Sequence, residues 1–183
     1  MPSTQYYTAS SLDGFIADTD NSLGWLLQFS DGSGAGYERF IAEVGAIAMG
    51  STTYEWVLAN HVFADPDAPA AWPYRQPSWV FSSRPQRPVP GAGIRFVTGP
   101  VAPVHADMAA AAGGKNIWLV GGGDLVGQFH DAGLLHEVIV TIAPVTLGAG
   151  APLLPRRIAE PPLRLASVER DGEFATLHFR VPA

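Results

Sequence analysis

One stretch constrains this chain more than any other: Ile117-Trp118-Leu119-Val120-Gly121-Gly122-Gly123-Asp124-Leu125. A short, fully apolar run bounded by glycine predicts a buried strand over 117–120. Helical spacing resumes at once over 125–132, and Gly133 stops it. Glycines between a strand and a helix let a ligand approach the backbone closely. The helix start adds free N–H groups and a positive dipole suited to phosphate. Taken alone, three glycines serve equally well as a tight turn. The spacing is not that of the G-x-G-x-x-G dinucleotide fingerprint, because Leu125 and Val126 interrupt it.

A second unit has the same order. Ala46-Ile47-Ala48-Met49 reads as a strand and runs into Gly50-Ser51-Thr52-Thr53 and a helix. Ser51 or Thr52 is the expected helix cap. The alternative use of these hydroxyls is to hold a second phosphate, and two such units in one chain favour a dinucleotide. Ser82-Ser83-Arg84 follows a third strand, over 78–82. A serine pair with an arginine suits a phosphate monoester, although a turn with a solvated arginine has the same sequence. No acidic residue stands in that run to take a 2′-hydroxyl instead.

The remaining pattern alternates strands with helices. Strands are expected over 5–10, 15–17, 94–98 and 137–142, and helices over 37–44 and 104–112. The second of these helices ends at Gly113-Gly114. A C-terminal hairpin turns around Asp171-Gly172. This order predicts an α/β domain spanning residues 1–183, with a mostly parallel central sheet and an antiparallel edge. The alternation of Phe174, Leu177 and Phe179 over 173–181, with nothing later to cover it, marks that segment as an exposed edge.

Composition excludes several classes of function. Apolar residues make up 47% of the chain and charged residues 15%, which supplies a core and argues against disorder. Net charge is −6 with no basic run, so a nucleic-acid surface is not expected. There is no cysteine, which removes disulfides, thiolate metal sites and zinc-deaminase ligands. The five histidines lack metal-ligand spacing, and no metal is expected. No signal peptide or membrane span is visible, so the expected setting is the cytoplasm.

Together with Thr8-Ala9-Ser10-Ser11-Leu12-Asp13-Gly14-Phe15-Ile16-Ala17 and Ile142-Ala143-Pro144-Val145-Thr146-Leu147-Gly148, these segments resemble the dihydrofolate reductase superfamily. They are most similar to the reductase domain of the bifunctional riboflavin-biosynthesis deaminase/reductase, here in stand-alone form. The resemblance implies a dihydrofolate-reductase-like three-layer fold and NADPH as cofactor. It implies that Ala9 and Ile16 meet the nicotinamide, and that Gly50, Ser51, Thr52 and Thr53 contact phosphate and ribose. Ser82, Ser83 and Arg84 would hold the 2′-phosphate. Gly121, Gly122, Gly123, Asp124 and Leu125 would form the pyrophosphate loop, with a cis peptide between its first two glycines.

The same resemblance places Trp25 beside the substrate pocket and Asp13 in a turn typical of the riboflavin branch, which makes these two the catalytic candidates. Asp13 could equally hold its own turn, and Trp25 could fill core. Folate-reducing members carry an acidic residue shortly after that tryptophan. The run Leu26-Leu27-Gln28-Phe29-Ser30-Asp31-Gly32 offers only Asp31, in a Gly/Ser turn. The implied activity is an NADPH-dependent reductase of the 5-amino-6-(5-phosphoribosylamino)uracil type or of a related heterocycle or carbonyl. Folate-type reduction and a non-catalytic NADP(H)-binding module are the alternatives. The expected pocket walls are 10–13, the loop around Trp25 and 146–150, with Arg156 and Arg157 beyond them for a substrate phosphate. Related reductase domains pair through their C-terminal strands, so a homodimer is expected.

Overall fold

The computed structural model describes residues 2–29 and 35–182; Asp31 lies outside them. In chain order the elements are β1 (Thr4–Ser11), β2 (Phe15–Ala17), α1 (Gly24–Leu27), α2 (Ala35–Ala42), β3 (Val44–Gly50) and α3 (Ser51–Val57). A π-helical turn, Leu58–Val62, extends α3. Then come β4 (Ser78–Phe81), β5 (Ile94–Val97), α4 (Val101–Ala111), β6 (Asn116–Gly121), α5 (Gly123–Asp131) and β7 (Glu137–Ala143). The chain ends with β8 (Ala151–Pro152), β9 (Arg164–Asp171) and β10 (Phe174–Arg180).

Eight strands form one sheet in the order β5-β4-β3-β6-β1-β7-β10-β9. All pairs from β5 to β7 are parallel, and β10 pairs antiparallel with both β7 and β9. The α/β class, the mostly parallel sheet and the C-terminal antiparallel pair are as the sequence predicts. The exposed edge is β9 rather than the 173–181 segment, because β10 doubles back onto β7 and leaves β9 outermost. Every residue of β9 is exposed.

Alternation along the strands sends side chains to two cores. Tyr6, Ala46, Ala48, Ile117, Leu119 and Val138 pack with Val126 and Phe129 of α5 and Met108 of α4 on one face. Ile47, Met49, Val80 and Trp118 pack with Tyr54 and Leu58 on the other. The expected helix over 37–44 stops at Ala42, and Val44 instead begins β3, buried at 2% exposure. The Gly/Pro loop over 144–155 contains the short β8, which pairs with β2.

Candidate active site

Parallel strands deliver their carboxyl ends to one edge, and there the two strand–glycine–helix units become neighbours. Met49 of β3 is in register with Gly121 of β6. A Cβ placed on Gly50 would lie 3.9 Å from the Gly122 nitrogen. The two turns share one geometry: Gly50 caps α3 at φ −80°, ψ 167°, and Gly122 caps α5 at φ −79°, ψ 168°. Neither cap uses a side chain, so Ser51 and Thr52 are not the caps. The chain leaves β3 extended through Gly50, which puts both residues inside the first helical turn. Their hydroxyls are thereby left for other partners. The Gly121–Gly122 peptide is cis.

Two hollows meet at this point. The larger, about 950 Å³, is lined by Ala9, Ile16, Thr52, Thr53, Gly121, Gly122, Gly123 and Asp124 among others. The smaller, about 420 Å³, is lined by Gly50, Ser51, Thr52, Thr53, Ser82, Ser83, Gly122, Asp124 and Leu125 together with Thr98 and Gly99. Thr52, Thr53, Gly122 and Asp124 border both, which makes them one continuous groove. Of the residues expected at the cofactor, Arg84 alone lines neither hollow.

The Arg84 guanidinium donates to both carboxylate oxygens of Glu55, at 2.7 and 2.8 Å. Gln86 donates to Glu55 as well, at 3.1 Å. An acidic residue therefore does stand beside the Ser82-Ser83-Arg84 turn. It comes from α3, 29 positions away, and no local reading of 82–84 could have found it.

Asp13 and Trp25 line neither hollow. The Ser11 hydroxyl donates to Asp13 at 2.6 Å. The backbone N–H groups of Leu147 and Gly148 donate to the same carboxylate at 3.1 and 2.7 Å. The Ser11 bond and then these N–H groups outweigh the opposing effect of partial desolvation, and Asp13 stays ionised below the usual aspartate range. The carboxylate thus fastens the β1–β2 turn to the 144–150 loop, and that link persists at and above ordinary carboxylate pKa values. It is lost only as pH falls through the lowered value. Asp13→Asn at neutral pH is expected to speed amide exchange at Leu147 and Gly148 several-fold, measured by hydrogen–deuterium exchange. Unchanged exchange would show that the carboxylate does not hold the loop.

The Trp25 indole nitrogen is buried with no hydrogen-bond partner among the described residues. Its neighbours Leu23 and Leu26 line the large hollow. The expected walls are partly displaced. Ser10 and Ser11 are buried at 1% exposure, so β1 contributes Tyr7, Thr8 and Ala9 instead. Ala151 and Pro152 take the place expected of 146–150. Arg156 is tied by its Nε to Asp131 at 2.8 Å and by its terminal nitrogens to Asp124 at 3.3 Å, and it lines neither hollow, nor does Arg157.

Beyond Ala9 the floor of the large hollow is the sheet itself, to which β7, β10 and β9 contribute Ile139, Thr141, Thr176, His178 and Glu169. In register, Ala9 is opposite Thr141, Thr141 opposite Thr176, and Thr176 opposite Glu169. The two threonine hydroxyls are 2.9 Å apart. One row along, His178 Nε2 lies 3.0 Å from Glu137, which also accepts from Gln5 at 2.6 Å. Burial raises the Tyr7 hydroxyl pKa, against an opposing bond with Thr141. Sequence reasoning missed Tyr7, Thr141, Thr176 and His178. Strict alternation from Ala9 would have placed Tyr7 on its face, but the strand partners that bring the other three there are set only by topology.

Compared with known proteins, the RibD C-terminal domain family matches residues 2–177. The chain belongs to the RibD C-terminal domain family. Its relatives include YwjB of Bacillus subtilis strain 168, an uncharacterized protein 33% identical over 96% of both chains. YyaP of the same organism, also uncharacterized, is 30% identical over 79% of this chain and 76% of its own. A solved structure from Shewanella sp. PV-4, provisionally named as a riboflavin biosynthesis protein, superposes with TM-score 0.78 at 25% identity. It covers 98% of this chain and 99% of its own. The Thermotoga maritima diaminohydroxyphosphoribosylaminopyrimidine deaminase/5-amino-6-(5-phosphoribosylamino)uracil reductase shares the fold at TM-score 0.64 and 16% identity. The match covers 99% of this chain and 57% of that larger protein. The mostly parallel sheet with its C-terminal antiparallel pair is thus the family's reductase-like fold. No helix among the described residues is long and apolar enough to cross a membrane.

Proposed function

We propose that this chain is an NADPH-dependent reductase of a small heterocycle or carbonyl, of the riboflavin-biosynthesis reductase type, acting in the cytoplasm. The continuous groove carries this reading. Its narrow arm and its wide arm meet at Gly122, where an added Cβ would find nothing within 4 Å, so the cradle is open where a phosphate would press against backbone. The donors there are uncharged: the first-turn N–H groups of α5, a nine-residue helix, and the hydroxyls of Thr52 and Thr53. These suit a diphosphate spanning the two arms.

In this reading Ser82, Ser83 and Arg84 hold the adenosine end, and the backbones of Ala9 and Ile16 orient the nicotinamide. Bound NADPH would supply a hydride. Thr141 Oγ1, directly across from Ala9 and paired with Thr176, can pass a water-derived proton to the reduced substrate. The test is loss of reduced-nicotinamide absorbance when NADPH is mixed with the purified protein and a panel of heterocycles and carbonyls. Tight NADPH binding with no oxidation across the panel would support the non-catalytic module instead.

The exposed β9 edge, with Leu165 and Val168 at 58% and 59% exposure, supports pairing with a second copy. Light scattering is expected to give twice the 19.4 kDa monomer mass. A monomer mass across micromolar concentrations rules the dimer out.

A further inference from the structure

The floor of the wide arm is two rows of side chains that run across the sheet. The first runs from Ala9 to Glu169 and lies beside the nicotinamide in the reading above. The second is Tyr7 of β1, Ile139 of β7, His178 of β10 and Ser167 of β9. These four are paired in register, and all of them line the hollow. Rows two residues apart along a strand are separated by about 6–7 Å. The second row therefore faces the part of a substrate remote from the hydride.

Among the described residues, His178 is the one histidine that lines the hollow, and Glu137 does not line it. His178 Nε2 stands 3.0 Å from Glu137 Oε2, and Gln5 Nε2 donates to the same oxygen at 2.6 Å. A carboxylate only accepts, so it holds the neutral imidazole with its hydrogen on Nε2 and leaves Nδ1 as an acceptor. The bond to Glu137 is the one hydrogen bond of this ring among the described residues. The buried side-chain polar atoms without a partner there are Gln5 Oε1 and Trp25 Nε1. Nδ1 is thus open rather than buried, and on this face of β10 the open space is the hollow.

The neighbours of this acceptor are rings. Tyr7, in the same row, stacks on Phe40 with centroids 4.3 Å apart, and Trp118 stands edge-on to both, at 6.4 and 5.5 Å. Aromatic walls hold a flat ring by offset or edge contacts. They do not choose between flat rings, whereas one fixed acceptor does. A site built to pair a donor rejects an analogue that lacks it.

We propose that His178 is a specificity-determining residue. Its Nδ1 accepts a hydrogen bond from an N–H or O–H on the edge of a flat ring substrate, about one row away from the atom that takes the hydride. Glu137 is a positioning residue, acting through the tautomer and basicity of His178. The proposal rests on the reductase reading and deepens it by naming the group that the substrate carries at its far edge.

The test uses the whole chain loaded with NADP+, and that loading is measured first by itself. Failure to bind NADP+ overturns the reductase reading and this proposal with it. With loading established, calorimetry compares lumazine, whose ring N–H groups donate, with 1,3-dimethyllumazine, in which methyl groups replace those hydrogens. Lumazine is expected to bind about ten-fold more tightly. His178→Phe, at a side chain 29% exposed, keeps a flat ring and removes the acceptor. It is expected to bring the two compounds within about two-fold of each other while NADP+ affinity stays unchanged. Glu137→Gln is expected to narrow the gap about three-fold, again with NADP+ affinity unchanged. Equal affinities in the unaltered protein overturn the proposal, and so does binding of neither compound. A gap that survives in His178→Phe also overturns it, because the methyl groups are then rejected by shape alone. A gap unmoved by Glu137→Gln overturns the part assigned to Glu137.

Discussion

Gly122→Ala is expected to abolish measurable NADPH binding while leaving the fold intact. The backbone at this position, φ −79° and ψ 168°, is one that any residue adopts. An added Cβ meets nothing within 4 Å, so the free protein accommodates it. The methyl group instead occupies the junction of the two hollows, where a diphosphate would need to touch backbone. A loss of about a hundred-fold in affinity, or ~2.7 kcal/mol, is the expected minimum. The neighbouring Gly123→Ala provides the contrast. There a Cβ would meet the Pro152 carbonyl oxygen and lie 2.5 Å from that of Leu153. Overpacking against rigid backbone costs ~1–3 kcal/mol, and the melting temperature should fall. Fluorescence titration with NADPH and thermal melts separate the two effects. Unimpaired binding by the Gly122 variant would reduce the glycine loop to a simple turn.

Arg84→Ala should weaken NADPH binding about ten-fold and leave NADH binding nearly unchanged. In the free protein Arg84 is held by Glu55, but this pair is open to solvent, with side chains 60% and 44% exposed. Such a pair contributes only ~0–1 kcal/mol. A charge-assisted bond to a phosphate is worth ~1.5–3 kcal/mol, so the guanidinium can exchange Glu55 for a 2′-phosphate beside Ser82 and Ser83. Glu55→Gln should accordingly tighten NADPH binding and leave NADH indifferent. Equal dissociation constants for NADPH and NADH in the unaltered protein would refute this account of cofactor choice.

The elements of the fold are legible in the chain because their signals are local. Apolar runs such as Ile117-Trp118-Leu119-Val120, and the glycines and prolines that punctuate them, mark strands and helix ends whatever lies nearby. Both strand–glycine–helix units could therefore be recognised one at a time. The cap assignment failed at Gly50 because propensity favours a hydroxyl there, whereas the path of β3 into α3 puts the glycine at the boundary.

By itself, then, the sequence determined the α/β class, the order of strands and helices, the glycine turns and the absence of thiol chemistry. Strand neighbours were decided only in three dimensions. The order β3-β6-β1-β7-β10-β9 joins residues more than a hundred positions apart, and it turns two separate turns into one groove. It also sets Thr141, Thr176 and Glu169 in line with Ala9 and leaves β9 as the edge, while the β3–β4 pairing brings Glu55 to Arg84. Pairings of this kind depend on which faces remain to be buried after the helices have packed. No local pattern of residues encodes that remainder, because it is a property of the whole sheet.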